Sequence, residues 1–117
     1  MAKKTKESRI AAEKRRLTKI YTNIEDGKKQ AVAGLIERAA FMRVQLEDLE
    51  VVLNAKGWTE LFSQSDKCDP YVRQRPEGQT YISLNSNYQK IIKQLVDVVP
   101  EDSSRDEAEE LMRFAQR

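Results

Sequence analysis

The chain has 117 residues, with 21 basic and 19 acidic side chains, no histidine and one cysteine. That length suits a single domain, for which about 100–200 residues is usual. Aromatic residues are few at 7% and charged residues many at 34%, a balance that fits an exposed helical protein better than a compact enzyme with a deep pocket. Zinc sites built from Cys and His are excluded, because they need several such ligands. No cofactor is expected. No intramolecular disulfide can form, which suits a reducing cytoplasm. Cys68 has no histidine to activate it and reads as a plain loop cysteine. No run of about 18 apolar residues predicts a membrane span, and no signal-peptide core follows the basic N-terminus. A soluble, intracellular protein without a membrane partner is expected.

Charge is unevenly placed. Residues 1–30 hold ten basic side chains against four acidic, whereas residues 101–117 hold six acidic against three basic. Such asymmetry points to a polyanion partner for the basic end.

Three segments follow from this composition and from the apolar spacing. Residues 1–27 form a basic tail and first helix. In the helix, Glu7 to about Ile24, the residues Ile10, Leu17 and Ile24 recur every seven positions. Its apolar stripe is thin, interrupted by Glu13 and Lys14, and adds little to a core. Glu25-Asp26-Gly27 breaks the pattern, with Gly27 closing the first helix or Asp26 capping the second.

Residues 28–100 form the core. Val32, Leu35, Ala39, Met42, Leu46, Leu49 and Leu53 follow at spacings of three and four, which draws one stripe down a helix roughly 40 Å long. Ile36, Phe41, Val44 and Val52 lie off that stripe, so this is a central helix covered on more than one side. Gly57 stops it. Residues 57–79 then read as an exposed connection, with Trp58–Phe62 adding a short helical turn. A third helix runs from about Thr80 to Val99 through Tyr81, Leu84, Tyr88, Ile91, Leu95 and Val98, and ends at Pro100. Its period matches the central helix, so an antiparallel pair is the natural packing.

Residues 101–117 form a short acidic helix from Ser103 or Ser104. Ser104 and Glu107 have capping-box spacing, and the charges follow the order favoured by the helix dipole. Leu111, Met112 and Phe114 give it an apolar tip suited to a protein partner.

No phosphate-cradling glycine motif, metal-ligand spacing or catalytic triad appears, so neither an enzyme nor a metal site is expected. The basic set Lys3, Lys4, Lys6, Arg9, Lys14, Arg15, Arg16 and Lys19 has two readings. It is a phosphate-binding face, or a solubilising face on a helix that packs through Ile10, Leu17 and Ile24. No aromatic residues interleave with it for base stacking. Apolar positions beyond the two seams, namely Phe41, Val44, Val52, Ile92 and Val99, need cover and favour self-association over a monomeric hairpin.

Two stretches carry a resemblance. Residues 39–50 (AAFMRVQLEDLE) resemble the central helix of one group of small-subunit phage terminases, and residues 88–100 (YQKIIKQLVDVVP) resemble the helix closing their shared core. The order of segments is also similar over roughly residues 28–102. This resemblance implies a ring-forming, non-catalytic subunit that binds viral double-stranded DNA and hands it to the large terminase subunit, in the cytoplasm of an infected bacterial host. It assigns no DNA-contacting residue, and no helix-turn-helix is visible. The expected fold is therefore all-α: a long antiparallel helical hairpin with a basic N-terminal helix and a short acidic C-terminal helix, oligomeric. The alternative is a helical protein–protein adaptor or small phage inhibitor acting on an acidic protein partner.

Overall fold

A computed structural model describes residues 5–99. Lys3, Lys4, Pro100 and the acidic 101–117 segment with Leu111, Met112 and Phe114 lie outside the described residues. Within them the chain forms three helices and one two-stranded sheet: α1 (Lys6–Ile20), α2 (Asp26–Lys56), β1 (Thr59–Phe62), β2 (Tyr71–Gln74) and α3 (Pro76–Asp97).

Helix α1 starts where Thr5 accepts the Ser8 N–H on its side-chain oxygen at 3.0 Å, satisfying one donor that the first turn leaves open. It stops four residues short of Ile24. Tyr21 is the C-cap, and its hydroxyl donates across the bundle to the Leu95 carbonyl. Burying that ring forces the backbone to turn before α2 can run back along α1. Helix α2 ends as the sequence predicts: Gly57 takes φ 83°, a conformation favourable to glycine, and its N–H closes on Leu53 O at 2.8 Å.

Both neighbours run antiparallel to α2, as paired side chains reveal. Moving from Lys6 to Lys14 on α1 moves the partner from Gln45 to Glu37 on α2, eight residues forward for eight back. On α3, Tyr81 meets Glu50 and Tyr88 lies beside Arg43, seven forward for seven back. The antiparallel pairing of α2 with α3 is thus present, but it belongs to a three-helix body. Leu17, Ile20 and Tyr21 of α1 join Val32, Ile36, Ala39 and Leu46 of α2 and Tyr88, Ile92 and Leu95 of α3 in one buried cluster. The expectation that the first helix adds little is corrected. Its apolar residues are few but concentrated in its last turn and just beyond, where all three helices meet.

A second correction concerns the connection. Trp58–Phe62 is not a helical turn; Thr59–Phe62 pairs antiparallel with Tyr71–Gln74, so the chain is largely helical without being all-α. Arg75 fastens the hairpin to α2. Its N–H donates to Trp58 O at 2.8 Å and its guanidinium reaches Gly57 O at 3.2 Å and Lys56 O at 3.4 Å. A cation is favourable there because the end of α2 presents unpaired carbonyls. Helix α3 starts before Thr80 because Pro76 occupies its first turn, where a missing N–H costs nothing. Gly78 continues it against the Trp58 ring; an added Cβ would lie 3.1 Å from Trp58 Cε3.

Core truncation should separate buried from exposed apolar positions. Leu17→Ala and Leu95→Ala, both at fully buried sites, should each lower unfolding free energy by about 2–5 kcal/mol. Phe41→Ala and Val51→Ala, both exposed, should stay within about 0.5 kcal/mol. Urea titrations measure both, and equal losses at the two classes would contradict the packing described.

Candidate nucleic-acid and partner interfaces

The basic first helix divides into two rows. Lys6, Arg9 and Lys14 point along α2 and meet its acidic side chains. Lys6 Nζ donates to Gln45 Oε1 at 2.6 Å and lies 3.4 Å from Asp48 Oδ2. Arg9 straddles Asp48 at 2.7 Å and Glu47 at 3.4 Å, and Lys14 reaches Glu37 at 3.1 Å. The Arg9 hydrogen bond holds the Asp48 carboxyl below its ordinary range, with Lys6 adding to the effect against the opposing influence of burial. The same contact raises Arg9.

Arg16 is turned inward instead. It donates to Glu13 Oε1 through Nε at 2.9 Å, with Nη2 at 2.8 Å. Arg43 of α2 and Tyr88 of α3 lie close by. Burial pushes the Tyr88 hydroxyl up to about 12, with Arg43 and Arg16 pulling the other way. This polar knot sits at the meeting of three helices and fixes how α1 lies on the α2–α3 pair.

Of the basic residues singled out in the sequence, four are therefore occupied by the fold: Lys6, Arg9, Lys14 and Arg16. Arg15 and Lys19 are exposed and form no ion pair among the described residues. They lie four apart, on one side of α1. Lys28 and Lys29 add positive charge at the exposed start of α2, although Lys29 contacts Asp26 at 3.1 Å.

The expected oligomer contacts divide as well. Val44 and Ile92 are each 1% exposed. They are spent within the chain and offer nothing to a neighbouring copy, so their assignment to an interface is corrected. Val52 is half-buried, and Val99 is half-buried against the core cluster. Phe41 alone of the set is widely exposed, at 52%. It lies beside Gly34, Glu37 and Arg38 along a cleft of about 290 Å³.

The larger apolar surface is on the hairpin, where the sequence predicts only a connection. Register pairs Glu60 with Arg73 and Leu61 with Val72. One side is closed: Glu60 binds Arg73 at 2.9 Å and Arg75 at 3.4 Å, and Arg73 stacks 3.5 Å over the Phe62 ring, which Tyr71 meets edge-on. Alternation sends Leu61 and Val72 to the other side, where they are 74% and 67% exposed. Neither Thr-Glu-Leu-Phe nor Tyr-Val-Arg-Gln alternates apolar with polar residues, so the strand period left no signal in the sequence.

A third surface is the cleft between α1 and the first half of α2, about 330 Å³. Its floor is apolar, made by Tyr21, Ile24, Val32, Ala33 and Ile36, and Lys14, Lys29 and Glu37 stand at its rim. Among the described residues no three His, Cys, Asp or Glu side chains converge as a metal site would need, and no helix is long and apolar enough to cross a membrane. Cys68 is exposed in the hairpin loop, 3.5 Å from Ser65 Oγ. Comparison with protein-family models, curated proteins and solved structures finds no match to this chain.

The Asp48 contact has a pH signature. A carboxyl lowered on folding contributes stability that is complete above its unfolded pKa, about 3.9, and is lost as pH falls through the folded value. Asp48→Asn should therefore lower the melting temperature most near pH 6, and the gap to the parent should narrow as pH falls below about 3.9. Thermal unfolding across that range measures it; a gap independent of pH would contradict a charged Asp48 anchoring α1.

Proposed function

We propose that the chain is a non-catalytic DNA-packaging subunit of the terminase small-subunit type. It binds viral double-stranded DNA, self-associates, and recruits or regulates the large terminase subunit in the cytoplasm of an infected bacterial cell. The observation that carries this reading is the resemblance of residues 39–50 and 88–100, and the fold is compatible with it: the two stretches fall on helices that pack antiparallel, with 39–43 level with 88–92 and Ala39, Tyr88 and Ile92 in one cluster. Their matching apolar period predicts that pairing by itself, so the resemblance rather than the packing points to a terminase.

Phosphate contact falls to Arg15 and Lys19, the exposed cations of α1 that form no ion pair among the described residues. The exposed Leu61–Val72 side of the hairpin is the contact for a second copy. Glu60 and Arg73 pair on the opposite side, and the register leaves the uncharged Thr59 and Gln74 beside Leu61 and Val72, so two such sides can meet without burying a charged side chain. The same surface would serve a heterologous protein in the adaptor reading, and binding to DNA separates the two.

Arg15→Gln with Lys19→Gln should weaken duplex binding and flatten the slope of log K against log salt by roughly 1.8, at about 0.9 for each phosphate no longer neutralised. The paired set Lys6→Gln with Arg9→Gln should instead lower stability and change the slope little. Shift assays at several salt concentrations read both. An unchanged slope for the Arg15/Lys19 variant would overturn the assignment of the DNA face, and no binding by the parent would overturn the DNA reading itself.

A further inference from the structure

We infer that the cleft between α1 and α2 is the docking site for the acidic C-terminal segment of the same chain, residues 101–117. Three independent features converge on it. The first is where the described chain ends. Tyr21, which lines the cleft, donates from its hydroxyl across the bundle to the Leu95 carbonyl, and Val98 and Val99 pack on the cluster that includes Tyr21, Val32 and Ile36. The register pairing Tyr81 with Glu50, continued to the end of α3 at Asp97, brings that end level with Gly34, within the stretch of α2 that lines the cleft. The chain therefore leaves α3 at the same end of the bundle as this cleft. Eighteen residues follow Val99; even ten of them, extended, reach about 33 Å, so reach is not limiting.

The second feature is charge. The cleft carries Lys14 and Lys29 at its rim, with Glu37 as its one acid, and Lys28 is exposed nearby. The segment holds six acidic against three basic residues. The present partners of the rim lysines are exposed carboxylates, Glu37 at 3.1 Å and Asp26 at 3.1 Å. Such pairs contribute little and exchange readily.

Apolar match is the third. Tyr21, Ile24, Val32, Ala33 and Ile36 form an apolar floor in a cleft of about 330 Å³, enough for a few anchoring side chains rather than a whole ligand. Leu111, Phe114 and Ala115 have the i, i+3, i+4 spacing by which a segment lays anchors into a groove. Met112 extends the apolar group. No other stretch outside the described residues combines negative charge with large apolar side chains, because residues 1–4 are Met-Ala-Lys-Lys.

Docking of this kind would cover Lys14 and Lys29 and bring acidic side chains toward Lys19. A consequence that rests on the function proposed above is that the segment competes with phosphate for this end of α1. Docking itself needs no DNA and is tested without it.

The full-length chain with isotope-labelled Ile and Val methyls is compared with its Leu111→Ser/Phe114→Ser variant. Ile92, buried in the core, reports that folding is intact. The methyl signals of Ile24, Val32 and Ile36 should move in the variant while those of Ile92 stay. Added salt should shift the same three signals in the parent and leave the variant unchanged. The difference should not depend on protein concentration. Unmoved Ile24, Val32 and Ile36 signals would overturn the proposal. So would a difference that grows with concentration, which would place the segment of another copy in the cleft.

Discussion

The central helix has more apolar perimeter than one neighbour can cover, and the rest of the molecule is arranged to meet that demand. Val32, Ile36, Ala39 and Leu46 are buried in one cluster with residues of both α1 and α3, and Ala40, Val44 and Leu53 are buried as well. A helix of 31 residues, about 46 Å long, thus serves as a spine with antiparallel neighbours. The neighbours are attached differently. Helix α3 brings a regular apolar seam through Tyr88, Ile92 and Leu95. Helix α1 brings only Leu17, Ile20 and Tyr21 near one end, and completes its attachment with Lys6, Arg9 and Lys14 on the carboxylates and amide of α2. Each exposed ion pair contributes at most about 1 kcal/mol. They follow the antiparallel register that burial of Leu17, Ile20 and Tyr21 sets at the other end of the helix.

This arrangement changes the meaning of the basic N-terminal region. A run of cations in sequence suggests a face for a polyanion. In three dimensions three of the six described cations, Lys6, Arg9 and Lys14, already answer acidic positions of α2 and Arg16 pairs with Glu13 of α1, which leaves Arg15 and Lys19 with no ion pair among the described residues. An external polyanion and the fold therefore draw on different members of the same cluster. The pairs join residues 23 to 39 positions apart, and that separation is why charge composition alone cannot distinguish the two roles.

The helical pairing was legible because Leu and Ile recur at a sustained period over many turns in α2 and α3. The stop at Gly57 was legible for a local reason, since a positive φ is cheap for glycine. The hairpin was not. Two strands of four residues are too short to establish an alternation, and Trp58, Leu61 and Phe62 also fit one helical turn. Pro76 and Gly78 fall in the stretch that reads as a connection, yet one lies in the first turn of α3 and the other makes room for the Trp58 ring. Excess apolar residues on the helices suggested an interface at Val44 and Ile92. Cover for them came from within the chain, and the large exposed pair proved to be Leu61 and Val72 on the segment that looked like a linker.

With Val44 and Ile92 buried within the chain, self-association becomes a question about the hairpin and the exposed helix positions Phe41, Val51 and Ile82 rather than the helical core. The chain mass is 13.6 kDa, so copy number is directly readable from the mass of the particle in solution. Light scattering on the separated full-length protein, with and without duplex DNA, is the most direct test of the packaging-subunit account. The account predicts a closed oligomer of many times the chain mass that carries DNA with it. A particle that stays at the single-chain mass and elutes apart from DNA would contradict it.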